Sequence, residues 1–132
     1  SGDYLKTVKL LNDSLKNYKG VYCIESFNAR VLMWYKKHAP DVLRGQLSTN
    51  FIKDKSKLSV ISKIVMTNLL LNFITKPDFI AYNQKYSKQF SFRLCKKLYK
   101  IKTVGWTVRT QDEFEKAEQS FNAIIFDSFK PR

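Results

Sequence analysis

Acidic residues are scarce in this sequence, with 11 Asp and Glu against 24 Lys and Arg, a formal net charge of +13 at pH 7. Such a field gathers anions, whether nucleic acid, an acidic lipid surface or a phosphorylated small molecule, and does not choose among them. Histidine is rarer still: His38 is alone, which excludes chemistry that needs two imidazoles from this chain. The two cysteines, Cys23 in a strand pattern and Cys95 in a helix pattern, have no Cys or His at ligand spacing. That excludes a cysteine-based zinc site and a disulfide framework, and both are expected as buried free thiols. Long apolar runs are missing too. The most apolar region, around Leu69 to Leu71, is interrupted by Lys63, Asn68 and Asn72 and is too short to span a bilayer. The opening SGDYLKTVKLL has neither a basic start nor a long apolar stretch, so no secretory leader is expected, and a soluble, cytoplasmic chain is. What is present is 44% hydrophobic and 14% aromatic residues in 132, too apolar for disorder and long enough for one core.

The apolar positions alternate between two periods. Leu5, Val8, Leu11 and Leu15 predict a helix over Asp3 to Tyr18 with Gly20 as its stop, and KGVYCIESF then switches to a strand. Asn28 can cap a helix whose inward residues are Val31, Leu32 and Tyr35, and VLRGQLS gives a second strand after Pro40 and Asp41. A long helix is expected over Lys55 to Phe73, apolar through Leu58, Ile61, Val65, Leu69 and Phe73. KPDFIAYN, a helix over Ser87 to Tyr99, TVGWTVRT, a helix over Gln111 to Ser120 and AIIFD complete the series.

Strands alternating with helices of this length pair in parallel through right-handed crossovers, so the class is α/β. Function in such folds gathers at the carboxyl ends of the strands. That rule nominates Glu25 and Ser26, Gln46 and Ser48, Tyr82 and Asn83, Trp106 to Arg109, and Asp127. Trp106 is the odd member, too large for a tightly packed sheet, and so expected to line or close a cavity. The set holds no histidine.

Taken in order, IESFNARVLMWYKKHAPDVLRGQLS, KPDFIAYN, VGWTVRT and AIIFDSFKP resemble the C-terminal part of the glycerophosphodiester phosphodiesterases. The Ser26-Phe27-Asn28 turn, the Trp106-Thr107-Val108 strand and a last strand ending in Asp127 carry most of the likeness. The family usually has a Thr-Asp pair near the end where this chain has Phe126-Asp127. The resemblance implies a TIM (βα)8 barrel of which residues 1–132 form one partial domain, an incomplete barrel made of the C-terminal five strands. It implies hydrolysis of a glycerophosphodiester substrate to glycerol phosphate and an alcohol, with a divalent metal (Mg or Ca) in the complete enzyme. The family's His-Arg-Gly motif, its Glu-x-Asp metal ligands, its second catalytic His and a further Glu belong to the early strands and have no counterpart here. No catalytic or metal-binding residue is therefore assigned, and the chain alone is expected to be inactive and to hold no cofactor. Its share is the substrate side: Trp106 as an aromatic wall against glycerol, bordered by Phe27, with Glu25, Gln46 and Tyr82 completing the pocket. Glu25 could equally ligate a metal, pair with a lysine or be hydrogen-bonded structure.

An incomplete barrel leaves open sheet edges, which would recruit the missing N-terminal half or a second copy. The basic segment KQFSFRLCKKLYKIK, Lys88 to Lys102, has two readings. As a barrel helix it turns Phe90, Leu94 and Leu98 inward with a solvated basic back; as an interfacial helix it lies on an anionic membrane. The flanking strands favour the barrel helix. Two other functions stand behind the enzyme: a non-catalytic module that binds phosphate or a lipid surface, and a nucleic-acid binder. The latter is disfavoured because the sequence has no nucleic-acid motif and its aromatics fall at core spacing.

Overall fold

Asp3 starts the first helix, its carboxylate accepting from the Lys6 N–H at 3.3 Å. In the computed structural model, which describes residues 3–53, 57, 59–67 and 70–132 apart from the side chains at 62, 66, 67 and 73, helix α1 runs Tyr4–Leu15. It docks through Tyr4, Val8 and Leu15 against Ile24 and Tyr35, leaving Leu5 and Leu11 exposed. Strand β1 is Cys23–Ser26. Asn28 then caps α2 (Ala29–His38) by accepting from Arg30 N–H at 3.0 Å, and Leu32 and Tyr35 are its buried residues. Strand β2 (Leu43–Ser48), helices α3 (Val60–Thr67) and α4 (Asn72–Thr75), strand β3 (Phe79–Asn83) and a 3₁₀ turn at Gln84–Tyr86 follow. Helix α5 (Phe90–Tyr99), strand β4 (Lys102–Val108), helix α6 (Gln111–Glu118) and strand β5 (Ala123–Phe126) complete the order.

All five strands are parallel and lie in sequence order, as short strands joined by helical crossovers must. The sheet is a curled half-barrel. Its curvature can be read from one contact: β1 and β4 are three strands apart, about 14 Å across a flat sheet, yet the rings of Phe27 and Trp106 stand 5.7 Å apart. The curl brings those two strand ends towards each other.

Side chains alternate across the sheet, and the parallel register passes each orientation from strand to strand. Ile80 and Tyr82 pack with Phe92 of α5, so the helix-facing rows contain Gln46, Ile80 and Thr103, and Ser48, Tyr82 and Gly105. The concave rows contain Glu25, Gly45 and Phe79, and Asn83 with Trp106. Gly45 is needed there: a Cβ would collide with the Phe79 ring and press on the Glu25 side chain. The β4–β5 register shifts between Gly105 and Val108, an irregularity that re-aims the residue it contains, here Trp106; the Trp106–Thr107 peptide is cis.

Three expectations need correction. The long helix over 55–73 is two helices, α3 and α4, the second ending at Lys76 in the left-handed conformation that closes helix ends. Of its expected inward face, Ile61 is 76% exposed, while Leu58, Leu69 and the side chain of Phe73, like the expected start at Lys55, lie outside what is described. In α5 the stripe Phe90, Leu94 and Leu98 points outward, because the helix docks through Phe92 and Cys95. Cys23 is exposed rather than buried, since the concave side of the edge strand β1 has no covering layer. No described helix is long and apolar enough to cross a membrane.

Candidate functional site

Three aromatic rings meet over the carboxyl ends of the strands. Phe27, directly after β1, stands edge-on to Trp106 of β4 at 5.7 Å and 80°, and edge-on to Phe51 of the loop after β2 at 5.8 Å and 78°. Edge-to-face pairs at such distances are the favoured arrangement of aromatic quadrupoles. Phe27 is 39% exposed, and Trp106 is half-buried. The Trp106 indole nitrogen is shielded from solvent yet has no hydrogen-bond partner among the described residues, unlike the indole of a usual structural tryptophan.

Phe27 is held from behind. Gln46 is 6% exposed, and its Nε2 donates to the carbonyls of Ser26, Phe27 and Leu47 at 3.1, 3.3 and 2.9 Å. The Ser26 hydroxyl accepts from Asn28 N–H at 3.0 Å, tightening the turn that projects the ring. Gln46 is therefore a brace on the helix side of β2 rather than a pocket residue. Tyr82 departs from expectation more sharply: it is fully buried, with its ring stacked on Phe92 at 4.6 Å and 15°. Both fall in helix-facing rows, so the strand-end rule chose the correct end of the sheet and the wrong side.

Glu25 lies on the concave side, level with Gly45. It is half-buried, no cation pairs with it among the described residues, and burial pushes its carboxyl above the usual carboxylate range. Burial disfavours the charged form, so the folded chain holds this proton more tightly than the unfolded one. The stability cost is absent below the ordinary value of 4.5, grows as pH rises above it and is complete above the folded value. Glu25→Gln is accordingly expected to melt at a higher temperature than the parent at pH 7 and at the same temperature near pH 4, by circular dichroism. An equal gain at both pH values would show that the carboxyl's charge is not the cause.

The remaining strand-end residues serve mainly as caps. Asn83 accepts from Lys85 N–H, Thr110 accepts from Glu113 N–H, and Glu113 in turn accepts from Arg109 N–H at 2.9 Å. Arg109 and Asp127 form an exposed ion pair at 3.8 Å. Two residues of the STNF loop escaped the sequence reading: Phe51, and the buried Asn50, which donates to Gln89 Oε1 at 3.1 Å and ties the loop to the start of α5. A polar pair followed by an aromatic directly after a strand, as in ESF after β1, is the signal that could have found them. A separate cavity of about 510 Å³ opens at the opposite end of β3 and β4, between Asn72, Pro77, Ile80 and Tyr99. It is remote from the aromatic cluster.

Among the described residues no three His, Cys, Asp or Glu side chains converge to hold a metal ion. Glu25 contributes one carboxylate, whereas magnesium or calcium needs several oxygen ligands, so the described residues do not by themselves fit a divalent cation. His38 closes α2 on the far side, stacked on Trp34 at 4.5 Å. Its Nδ1, 2.9 Å from the Trp34 carbonyl, must be the donor there.

No protein-family model matches the sequence, and no curated protein does. Solved structures share its fold. A Silicibacter pomeroyi DSS-3 protein assigned as a glycerophosphoryl diester phosphodiesterase superposes with a TM-score of 0.65 at 12% identity, over 92% of this chain and 40% of its own. An Oleispira antarctica phosphodiesterase, solved in complex with the product sn-glycerol-3-phosphate, gives 0.64 at 16% identity, over 92% of this chain and 45% of its own. The chain thus spans less than half the length of these structures, and at such identities the likeness is one of fold.

Proposed function

We propose that this chain is the substrate-side part of a glycerophosphodiester phosphodiesterase, which hydrolyses a glycerophosphodiester to glycerol phosphate and an alcohol. The observation that carries the reading is the aromatic cluster of Phe27, Phe51 and Trp106 on the concave side of a parallel half-barrel whose fold is that of phosphodiesterases. In this reading the Trp106 face packs on the glycerol carbons, with Phe27 and Phe51 fixing its tilt and Gln46 fixing Phe27. Glu25, the half-buried carboxylate below them, accepts a hydrogen bond from a glycerol hydroxyl. General acid, general base and the ligands for magnesium or calcium would come from strands outside this chain.

The test completes the barrel by co-expressing this chain with the complementary strands of the Oleispira phosphodiesterase. Joined halves are expected to hydrolyse glycerophosphodiesters. Trp106→Ala is expected to raise KM about tenfold with a smaller effect on kcat, because an aromatic wall binds ground state and transition state about equally. A thousandfold fall in kcat at unchanged KM would instead place Trp106 in the chemical step.

The non-catalytic alternative, a module holding phosphorylated glycerol, uses the same cluster. It would be favoured if the joined halves bind sn-glycerol-3-phosphate and turn over no diester.

A further inference from the structure

Helix α5 carries two apolar arcs, and only one is used. Phe92, 1% exposed, fixes the helix to the sheet. On the opposite side Phe90, Leu94 and Leu98 form an i, i+4, i+8 row with exposures of 76%, 41% and 66%. Arg93 and Lys97, three residues on from Phe90 and Leu94, make the adjacent row. Both are exposed. The same helix, with Lys88 before it and Lys100 after it, borders a groove of about 750 Å³ that runs to Ser120, whose carbonyl accepts from Lys96 Nζ. From Phe79 to Thr110 the sequence has no acidic residue, so nothing on this segment neutralises these cations.

We propose that the outer face of α5 docks on an anionic bilayer surface, with Phe90, Leu94 and Leu98 entering the interface and Arg93, Lys97 and their basic neighbours meeting lipid phosphates. Exposed leucines and a phenylalanine have no reason to accompany cations that bind a polyanion in water, since phosphate contacts need only the charges. A bilayer rewards both rows at once, apolar area by insertion and cations by the surface potential. The docking face lies on the exterior of the half-barrel, remote from the aromatic cluster.

Flotation with phosphatidylcholine vesicles, with and without phosphatidylglycerol, tests this on the chain as it stands. Binding is expected to the mixed vesicles, to weaken with salt and to be faint on phosphatidylcholine alone. Arg93→Gln should weaken it about fivefold, in line with the usual contribution of one surface cation. Leu98→Ser, which leaves the charge unchanged, should weaken it roughly tenfold by removing inserted apolar area; because Leu98 is exposed, thermal melts should be unchanged. Lys6→Gln and Lys9→Gln on α1 should bind as the parent does. Absence of binding to the mixed vesicles at low salt would overturn the proposal. So would binding that ignores Leu98→Ser, or binding that falls equally with the α1 changes, since either marks a diffuse charge effect. Tighter binding to duplex DNA with the same dependence on Leu98 would reassign the face to nucleic acid.

Discussion

Incubated with glycerophosphocholine and magnesium or calcium, the purified chain is expected to release no choline above a metal-only control. Expulsion of an alkoxide from a phosphodiester calls for a general acid, an activated nucleophile and stabilisation of the developing charge, and acid–base help alone is typically worth about 10²–10⁴-fold. The described residues assemble no such set. His38, the sole histidine, is stacked on Trp34 at the end of α2, on the face of the sheet away from the strand ends. Among the described residues Glu25 lies on the concave side without a second carboxylate beside it, and Asp127 is paired with Arg109. The cationic field of the chain also opposes recruitment of a divalent metal by one acid. Choline release that survives repurification and disappears in Glu25→Gln would show that the half-barrel suffices, and would move the chemistry onto this chain.

The largest stability effect is expected at Tyr82. Truncation to Ala empties the centre of the cluster formed with Ile80, Phe92, Val108, Ala117 and Phe121 and removes the 4.6 Å stack on Phe92. Deleting a buried aromatic side chain costs about 3–5 kcal/mol, a large part of the roughly 5–15 kcal/mol that holds a domain folded. Urea unfolding followed by circular dichroism should therefore show Tyr82→Ala marginally folded or unfolded at room temperature. Retention of the parent midpoint would mean that the Tyr82 ring points into the concave side after all, as the sequence alone suggested.

That difference shows where the sequence stopped being legible. The order of strands and helices, their parallel pairing and the carboxyl-end location of Trp106 and Phe27 follow from periodicity and from the helical crossovers. Which of two adjacent strand residues faces the helices does not. In FIAYN both Tyr82 and Asn83 end the strand, and parity alone puts the tyrosine under α5 and the asparagine beside Trp106. Gln46 was misplaced for the same reason, since a polar residue near a strand end reads as pocket-facing when its bonds to the Ser26 and Phe27 carbonyls are unseen. In α5, Phe90-Leu94-Leu98 and Phe92-Cys95 are both helical rows. The first is longer and so reads as the core row, while the geometry of β3 and β4 selects the second. Phe51 escaped because its partner, Phe27, is distant in sequence and close only once the sheet has curled.

The helix-side packing is divided. Among the described residues Val8, Ile24 and Tyr35 form one buried nucleus under α1 and α2, and the Tyr82 cluster forms another under α5 and α6, with β2 and β3 between them joined by backbone hydrogen bonds and by the Lys36–Ile74 and Arg44–Asp78 contacts. Local unfolding is expected to follow such a division. With three buried residues against six, the nucleus at the β1 edge is expected to open before the other, and Phe27 directly follows that strand. The two walls of the mouth, Phe27 and Trp106, thus stand on differently buttressed strands, and amide exchange at β1 is expected to be faster than at β4.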